Sequence, residues 1–346
     1  MIKYKTKKIL TISIFFLTII ILIIQFSGLK DFDLNHAKVE DITFYSKNNA
    51  LHGSLVLPKN IDSPPIALIV HGDGAQDRLS SSTYLPLINS LLDDGIGVFT
   101  WDKPGIGQST GNWLNQTMND RSDELLAAYA KIKSLLNLQN SAVGILGFSQ
   151  AGWVIPKAIN KIKPSFTVII GGAVNWRHQG AYYTKCQLEK RGLSSKEVNK
   201  KVASNLKTND EAFGNATTSN PKLKPDMRID RFNFVLQNYN SDATPYLSTM
   251  NGPILAIWGE NDKNVNPIYN QNIYKQNLNQ DKNQKTAIIK NATHGLLNSK
   301  WFDYQTSNEW PLWKEGAFIL LGRYSYAPHS LDFIGKWIKE VSKNKK

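Results

Sequence analysis

The chain has 346 residues, of which 41% are hydrophobic and 10% aromatic, proportions that are typical of a globular protein. This length accommodates one large α/β domain with an insertion, or two modest domains. A single cysteine, Cys186, excludes an internal disulfide and a multi-cysteine metal site. The formal net charge is +13, yet no module of interleaved basic and aromatic residues is present, so we expect no nucleic-acid partner.

The N-terminal segment combines positive charge with a long apolar run. Four lysines within the first eight residues precede an uncharged run at 9–26, which is dominated by Ile, Leu and Phe. As a helix this run would be about 27 Å long, close to the roughly 30 Å hydrocarbon core of a bilayer. Because no A-x-A-like cleavage site follows it, we expect residues 1–30 to be an uncleaved signal anchor. The lysines then place residues 31–346 outside the cell membrane. Secretion after signal cleavage is the alternative.

Short apolar runs along the chain predict eight strands. Two runs alternate apolar with polar residues and predict an antiparallel hairpin over 39–45 and 51–57. The other six lack this alternation, as expected of strands that are buried on both faces of a parallel sheet. These six runs are 65–70, 96–101, 142–147, 166–170, 253–258 and 286–289.

Helical patterns separate most of these strands. Residues 84–94 end at Gly95, a residue typical of a helix C-terminus. Apolar residues at helical spacing predict a second helix over 122–138 and an amphipathic closing helix over 331–341. Strands that alternate with helices form sheets covered on both faces. We therefore predict an α/β fold with a mostly parallel sheet and the N-terminal hairpin at its edge.

Residues 173–250 interrupt this alternation. The segment is polar, rich in Lys and Asn, and lacks strand-like runs. The sequence S-S-K-E at 194–197 is a capping box that predicts the start of a helix. Because the segment falls between the sixth and seventh predicted strands, we interpret it as a helical insertion. It divides a domain formed by residues 31–172 and 251–346.

The turn after the fifth predicted strand carries Ser149. It reads G-F-S-Q-A-G over 147–152, and a helix is expected to open at about Gln150. Small residues at Gly147 and Ala151 permit a turn so sharp that the serine hydroxyl is lifted above the sheet. This pattern is the nucleophile elbow G-x-S-x-G, from which Ala151 departs by one methyl group. We therefore predict that Ser149 is a nucleophile.

Two glycine-containing loops follow earlier strands. The loop after the third strand reads H-G-D-G-A-Q-D-R over 71–78, and the loop after the fourth reads D-K-P-G-I-G-Q-S-T-G over 102–111. The second loop does not match the dinucleotide pattern G-x-G-x-x-G, because Thr110 stands at the last position. No P-loop and no H-E-x-x-H motif occurs. We therefore expect no cofactor and no metal.

Taken together, the motifs resemble those of the α/β-hydrolase superfamily from about residue 39 to the last helix. Within it, the chain is most similar to bacterial serine esterases with an oxyanion loop of the type H-G-S-G-P-x-D-R, matched here by 71–78. Their second loop, D-x-P/R-G-x-G-x-S-x-G, is matched by 102–111, and their elbow by 147–152. The group is related to serine aminopeptidases and dienelactone hydrolase-like enzymes. The resemblance implies an α/β-hydrolase fold in which residues 173–250 form a cap over the active site.

The acid of the active site is sought after the seventh strand, because this superfamily orders its catalytic residues Ser, Asp or Glu, His. Glu260 and Asp262 both stand there. The acid in this fold usually lies three residues after a glycine such as Gly259, which favours Asp262. The resemblance thus implies that Asp262 orients the histidine, with Glu260 as the competing residue.

The base is sought after the eighth strand, where the sequence N-A-T-H-G places His294. His329 is the competing histidine, but its neighbours indicate that it belongs to the entry of the last helix. The resemblance therefore implies a catalytic triad of Ser149, Asp262 and His294.

The oxyanion hole requires two backbone donors. The resemblance implies that these are the N–H of Gln150 and the N–H of Asp73 in the loop 71–78, with His71 holding the loop by hydrogen bonds. Asp73 replaces the serine that is usual in this loop. A carboxylate beside a developing anion would repel it, unless the side chain points away or pairs with Arg78.

We therefore expect a serine hydrolase that cleaves the carboxylic ester bond of a small acyl ester. His294 would deprotonate Ser149, the serine would form an acyl-enzyme, and Asp262 would stabilise the imidazolium. The alternatives are a serine peptidase of the aminopeptidase or prolyl-oligopeptidase type, an acyltransferase, and an inactive binding module at the cell surface. An aminopeptidase would need a carboxylate for the substrate amine, and several insertion acids could supply it. These acids are Glu189, Glu197, Asp210 and Glu211.

Overall fold

The computed structural model describes residues 28–215, 217–279 and 283–343. The predicted signal anchor at 1–30 therefore lies outside the described residues, apart from its last three. None of the helices within these three ranges has both the length and the apolar composition needed to cross a bilayer.

In the described ranges, the strands form one eight-stranded sheet in the order β1-β2-β4-β3-β5-β6-β7-β8. The strands are β1 (Ala37–Ser46), β2 (Asn49–Pro58), β3 (Ile66–Val70), β4 (Gly97–Trp101), β5 (Val143–Phe148), β6 (Thr167–Ile170), β7 (Ile254–Gly259) and β8 (Gln284–Ile289). The hairpin β1-β2 is antiparallel and forms one edge, and β2 is antiparallel to β4. All remaining pairs are parallel. The predicted mostly parallel sheet with an antiparallel edge hairpin is confirmed.

Helices connect the strands and cover both faces of the sheet. They are α1 (Leu85–Asp93), α2 (Met118–Lys133), α3 (Ala151–Ala158), α4 (Trp176–Lys190), α5 (Ser195–Phe213), α6 (Ile229–Asn238), α7 (Thr244–Leu247), α8 (Pro267–Asn277), α9 (Ser299–Phe302), α10 (Leu312–Leu321) and α11 (Ser330–Lys343). Residues such as Leu91 of α1 and Ile338 of α11 are buried on one face of the sheet. Leu125 of α2 and Val154 of α3 are buried on the other. The strands are therefore covered on both faces, as their continuous apolar sequences require.

Helix α2 begins and ends earlier than the apolar spacing over 122–138 predicts. Its start is set by a capping box in which the side chain of Thr117 accepts from the N–H of Asp120, and the Asp120 carboxylate accepts from the N–H of Thr117. The helix ends at Lys133, and a separate 3-10 turn covers Leu136–Leu138. Polar capping residues, which carry no apolar periodicity, set the start of the helix.

The insertion between β6 and β7 consists of α4, α5, α6 and α7, which confirms a helical insertion between the sixth and seventh strands. The predicted capping box is present, because Ser194 and Glu197 bond each other's backbone at the start of α5. Phe213 and Phe232 of the insertion belong to the same buried cluster as Leu125 of α2. The insertion therefore packs on the sheet domain through a continuous core. The domain boundaries at 173 and 250 stay predictions.

Candidate active site

Ser149 occupies the turn between β5 and α3. Its φ of +51° lies in the left-handed region, which residues other than glycine rarely adopt. Gly147 is required here, since a methyl group on it would lie 2.4 Å from Cδ1 of Ile155 and 2.6 Å from Cβ of Ala151. The side chain of Ala151 is buried without displacing the serine from this conformation. The strand–turn–helix context of a nucleophile elbow is therefore present, and Ser149 is half-buried at the carboxyl end of β5.

The turn that ends β6 brings Ser149 and His294 to the same part of the sheet edge. The backbone N–H of Ser149 donates to the carbonyl of Ile170 at 2.9 Å. The next residue, Gly171, has a φ of +61°, and a methyl group on it would lie 2.8 Å from Cε1 of His294. The histidine ring therefore lies directly against this glycine. A larger residue at this position would push the ring away from the elbow.

Asp262 and His294 are in direct contact. Nδ1 of His294 lies 2.7 Å from Oδ2 of Asp262, whose side chain is fully buried. The other carboxylate oxygen, Oδ1, accepts from the backbone N–H groups of Asn264 and Val265, each at 2.8 Å. These two donors fix the carboxylate, and they leave Oδ2 free to accept the Nδ1 proton. Nε2, the nitrogen that a general base would use, then carries no proton.

The competing acid and the competing histidine lie elsewhere. Glu260 is exposed, and its carboxylate accepts from the backbone N–H of Asn291 at 3.1 Å. The side chain of His329 is 90% exposed, and it lies 3.8 Å from the carboxylate of Asp332 at the start of α11. The geometry therefore unites Asp262, and not Glu260, with His294.

His71 anchors the loop that follows β3. Its Nε2 lies 2.6 Å from the carbonyl oxygen of Trp101, so this nitrogen carries the proton and donates. Nδ1 lies 3.4 Å from the hydroxyl of Tyr84, and the carbonyl of His71 accepts from Arg121 at 2.8 Å. Burial lowers the pKa of His71 to about 3, and the positive charge of Lys103 acts in the same direction. His71 is thus a neutral structural residue of the loop.

Lys103 holds the backbone of the same loop in place. Its buried amine donates to the carbonyl oxygens of Gly72 at 2.6 Å and Gly74 at 2.9 Å. In a trans peptide the carbonyl and the following N–H point in opposite directions. Because Lys103 binds the carbonyl of Gly72, it also orients the N–H of Asp73. Burial lowers the pKa of Lys103 well below its ordinary value, but a neutral amine still carries two N–H donors.

The carboxylate of Asp73 pairs with Arg231 of α6, and not with Arg78. Nη1 and Nη2 of Arg231 donate to its two oxygens at 3.0 and 2.5 Å. Arg78 instead binds the buried carboxylate of Asp102, with Nη2 at 2.8 Å. Burial opposes ionisation of Asp73, but the hydrogen bonds and charge of Arg231 hold its pKa below the ordinary value. The negative charge that stands beside the predicted oxyanion donor is therefore neutralised by the insertion.

The side chains of the two predicted oxyanion residues are bonded to each other. Nε2 of Gln150 donates to Oδ1 of Asp73 at 3.1 Å, and Oε1 of Gln150 accepts from Arg121. A methyl group on Gly72 would lie 3.4 Å from Cβ of Ser149, so the loop approaches the elbow closely. Among the hydrogen bonds of the described residues, the backbone N–H groups of Asp73 and Gln150 have no protein acceptor. Two backbone donors beside Ser149 are thus available to bind an anion.

The insertion also contacts the loop after β7 that carries Asp262. The hydroxyl of Tyr182 in α4 donates to the carbonyl of Asp262 at 2.8 Å, and Nε2 of Gln179 donates to the carbonyl of Asn264 at 3.0 Å. Together with Arg231, these contacts place the insertion on both sides of the site. Within the described ranges, no group of three or more His, Cys, Asp or Glu side chains is arranged to hold a metal ion.

The sequence patterns did not single out the three cations that contact the loop 71–78 and Gln150, which are Lys103, Arg121 and Arg231. A lysine two residues after the end of the apolar strand β4 is the one local signal, because a charge at a buried strand end needs a partner. Arg231 has no such signal, since it lies 158 residues from Asp73.

Comparisons with solved structures support the fold. An esterase from Pyrococcus furiosus matches with a TM-score of 0.55 at 17% identity, over 88% of this chain and 91% of that one. Est1E from Butyrivibrio proteoclasticus, solved with ferulic acid, matches with a TM-score of 0.53 at 16% identity, over 88% and 98%. A hypothetical protein from Pseudomonas aeruginosa matches with a TM-score of 0.52 at 17% identity, over 90% and 96%. At these identities the likeness shows a shared α/β-hydrolase fold.

A comparison with curated protein sequences finds no match. Residues 63–300, well over half of the chain, match the profile of the family described as serine aminopeptidase, S33. The matched range contains the loop after β3, the elbow, the acid and the histidine. The chain therefore belongs to the serine aminopeptidase S33 family of α/β-hydrolases, and it is a hydrolase.

Proposed function

We propose that this hydrolase cleaves carboxylic esters through Ser149, His294 and Asp262. The observation that carries the proposal is the 2.7 Å contact between Nδ1 of His294 and the fully buried carboxylate of Asp262. This contact gives the histidine the tautomer and the orientation that a general base requires. The ring lies against Gly171, next to the residue that binds the backbone of the elbow.

The first half of the reaction forms an acyl-enzyme. Nε2 of His294 takes the proton of Ser149 as Oγ attacks the ester carbonyl, and the carbonyl oxygen becomes an oxyanion. The N–H groups of Asp73 and Gln150 bind this anion. The tetrahedral intermediate then expels the alcohol, which takes its proton from His294. Asp262 stabilises the imidazolium that exists between these two proton transfers.

The second half releases the acid. A water molecule gives its proton to Nε2 of His294 and attacks the acyl carbonyl, and the same two N–H groups bind the second oxyanion. Collapse of this intermediate returns the proton to Oγ of Ser149 and frees the carboxylic acid. Atoms and charge balance, because one water is consumed for each ester cleaved.

The charges of the insertion favour an ester over a peptide with a free amine. An aminopeptidase needs a carboxylate for the substrate amine, but each of the four acids considered for this role already contacts a partner within the insertion. These contacts are Glu189 with Lys185, Glu197 with Ser194, Asp210 with Arg177, and Glu211 with Lys207. The resemblance in fold to an esterase from Pyrococcus furiosus supports the same choice.

Hydrolysis of p-nitrophenyl esters of increasing acyl length tests the proposal. We expect turnover by the full chain and its loss, by at least about 10³-fold, in Ser149→Ala. Ser134→Ala, a change of the same type at an exposed serine, serves as the control. Cleavage of aminoacyl p-nitroanilides without cleavage of esters would identify a peptidase instead. Equal ester turnover by Ser149→Ala and the parent would refute Ser149 as the nucleophile.

We also propose that residues 1–30 anchor the protein in the cell membrane, with the catalytic domain outside. The four leading lysines and the apolar run at 9–26 support this placement. Alkaline extraction of membranes, combined with protease treatment of intact cells, tests it. Retention in the membrane with digestion of the catalytic domain is expected. Release of a protein shortened at its N-terminus would indicate a cleaved signal.

A further inference from the structure

Helix α10 (Leu312–Leu321) exposes its apolar residues and buries its lysine, the reverse of what a helix on a water-facing surface does. Lys314 is 7% exposed, whereas Leu312 is 84% and Trp313 is 61% exposed. The amine of Lys314 donates to the carbonyl of Trp301 and lies over the rings of Trp301 and Trp313. Phe318, four residues after the lysine, completes the buried face.

The exposed residues other than Glu315, which borders them, form one continuous stripe that we call the α10 stripe. Its members are Leu312, Trp313, Gly316, Ile319 and Leu320. Their spacing of i, i+1, i+4, i+7 and i+8 places them on one side of a helix. Gly316, in the middle, adds no side chain to the surface. The rings of Trp301 and Tyr324, each 55% exposed, extend the apolar surface beyond the helix. A patch of this kind marks a docking surface.

The described chain begins directly beside this stripe. A methyl group on Gly28 would lie 2.0 Å from the carbonyl oxygen of Leu320, so the backbone of Gly28 packs against the end of α10. The buried Asp31 fixes this position, because its carboxylate binds the guanidinium of Arg323 at 2.6 and 2.8 Å. The apolar run of the sequence ends at Phe26, two residues before Gly28. Two residues span at most about 7 Å.

We propose that the α10 stripe lies on the surface of the lipid bilayer that holds the N-terminal anchor. The inference rests on the proposed membrane placement of residues 1–30. If residues 9–26 enter the bilayer, the short connection to Gly28 brings the stripe to the membrane surface. Leucine and isoleucine can then bury their side chains among the lipid tails. Trp313, Trp301 and Tyr324 are residue types that favour the membrane–water interface.

A fluorescent label at Leu312 tests this contact in the full chain. Cys186 is first replaced by serine, and a single cysteine is then introduced by Leu312→Cys and labelled with an environment-sensitive dye. Leu136→Cys in the same background is the matched control, because Leu136 is 82% exposed and lies in the turn between α2 and β5. Both proteins are reconstituted into phosphatidylcholine–phosphatidylglycerol vesicles, with and without brominated acyl chains. Flotation confirms that they are bound.

The expected result is a blue-shifted emission at position 312 that brominated lipid quenches, with neither effect at position 136. Vesicle-bound protein without quenching at 312 would overturn the inference while leaving the anchor in place. A blue shift that bromine does not affect would show that protein covers the stripe, and it would also overturn the inference. Equal quenching at both positions would indicate non-specific adsorption and have the same consequence.

Near-UV circular dichroism compared with the parent shows that each labelled protein is folded. Ester turnover, measured separately in detergent, separates this inference from the proposed activity. Quenching at position 312 in a protein that hydrolyses no ester would leave the membrane contact intact and refute the proposed function.

Discussion

The acid–histidine side of the site, formed by Asp262 and His294, and the oxyanion side, formed by the loop 71–78 and Gln150, differ in where their partners come from. Asp262 and His294 lie 32 residues apart, after neighbouring strands, and the acid is fixed by N–H groups of its own loop. The carboxylate of Asp73 instead pairs with Arg231, which lies 158 residues away on the insertion. One side is complete within the sheet domain, and the other depends on the insertion.

The two sides therefore depend differently on the position of the insertion. The insertion contacts the acid–histidine side through neutral hydrogen bonds to backbone carbonyls, as with Tyr182. It contacts the oxyanion side through the ion pair of Arg231 with Asp73, which cancels a charge next to the proposed oxyanion donors. Movement of the insertion would therefore change the electrostatics of the oxyanion side first.

The largest expected effect is on the acid–histidine side. Asp262→Asn keeps the shape of the side chain but removes the charge and favours the wrong tautomer of His294. We expect kcat for ester hydrolysis to fall by about 10⁴-fold. Glu260→Gln is the matched control and should leave kcat unchanged, since Glu260 contacts the N–H of Asn291 and not the histidine. Comparable losses in the two variants would mean that the acid has been misassigned.

The next effect concerns the lysine of the oxyanion side. Lys103→Met leaves the carbonyls of Gly72 and Gly74 without their donor and frees the peptide that carries the N–H of Asp73. Losing one oxyanion donor costs about 10²–10³-fold in kcat, and we expect about 10²-fold here. KM should change little, because the donor acts mainly in the transition state.

Lys314→Met provides the control for this variant. Lys314 is also a buried lysine that donates to a backbone carbonyl, but it lies on α10, away from the loop 71–78. Both variants should lower the free energy of unfolding, and Lys103→Met alone should lower kcat per folded molecule. An equal kcat in the two folded variants would limit Lys103 to a role in stability.

The resemblance of local motifs to those of α/β-hydrolases led to the prediction of the acid–histidine side, because the determinants of that side are local. The run of β7 followed by a glycine and an acid, and the run of β8 followed by His294, are each contained in a few residues. The elbow is local for the same reason, and its left-handed serine follows from small neighbours. Continuous apolar runs predicted the strands of the mostly parallel sheet for a similar reason, because strands buried on both faces need continuous apolar sequence.

The partner of Asp73 could not be predicted in this way. Arg78 is the nearest cation in the loop, but it pairs with Asp102 instead. The carboxylate of Asp102 is buried and needs a permanent counter-charge. The pairing of Asp73 with Arg231 depends on how α6 packs over the sheet domain. Tertiary packing, which no local pattern encodes, decides this contact.

A smaller effect is expected from the ion pair itself. Arg231→Met leaves the carboxylate of Asp73 without its counter-charge beside the proposed oxyanion donors, and we expect kcat to fall about tenfold. Adding Asp73→Ser removes the repelling charge and should restore kcat to within about twofold of the parent. Arg228→Met is the control. Arg228 is an exposed arginine about one helical turn before Arg231, and it pairs with Asp230 and not with Asp73. A double variant as slow as Arg231→Met alone would show that lost packing, and not charge, slows the reaction.

The smallest effect is a pH dependence of the Arg231→Met defect. In the parent, Arg231 keeps the pKa of Asp73 below its ordinary value, so the carboxylate stays ionised. Without Arg231, its hydrogen bonds and positive charge no longer lower the pKa of Asp73, which therefore rises relative to the parent, although Lys103 stays nearby. A carboxyl with a raised pKa takes up a proton as the pH falls, and the neutral acid no longer repels the oxyanion. The defect should therefore shrink as the pH falls.

The ratio of kcat/KM between Arg231→Met and the parent measures this change. Any effect of pH that the two proteins share cancels in this ratio. The ratio should be lowest at neutral pH and rise toward one as Asp73 becomes protonated. Arg231→Met combined with Asp73→Ser has no carboxylate to titrate, so its ratio to the parent should be flat. A flat ratio for Arg231→Met alone, from about pH 4 to 8, would show that the charge of Asp73 does not affect the reaction rate.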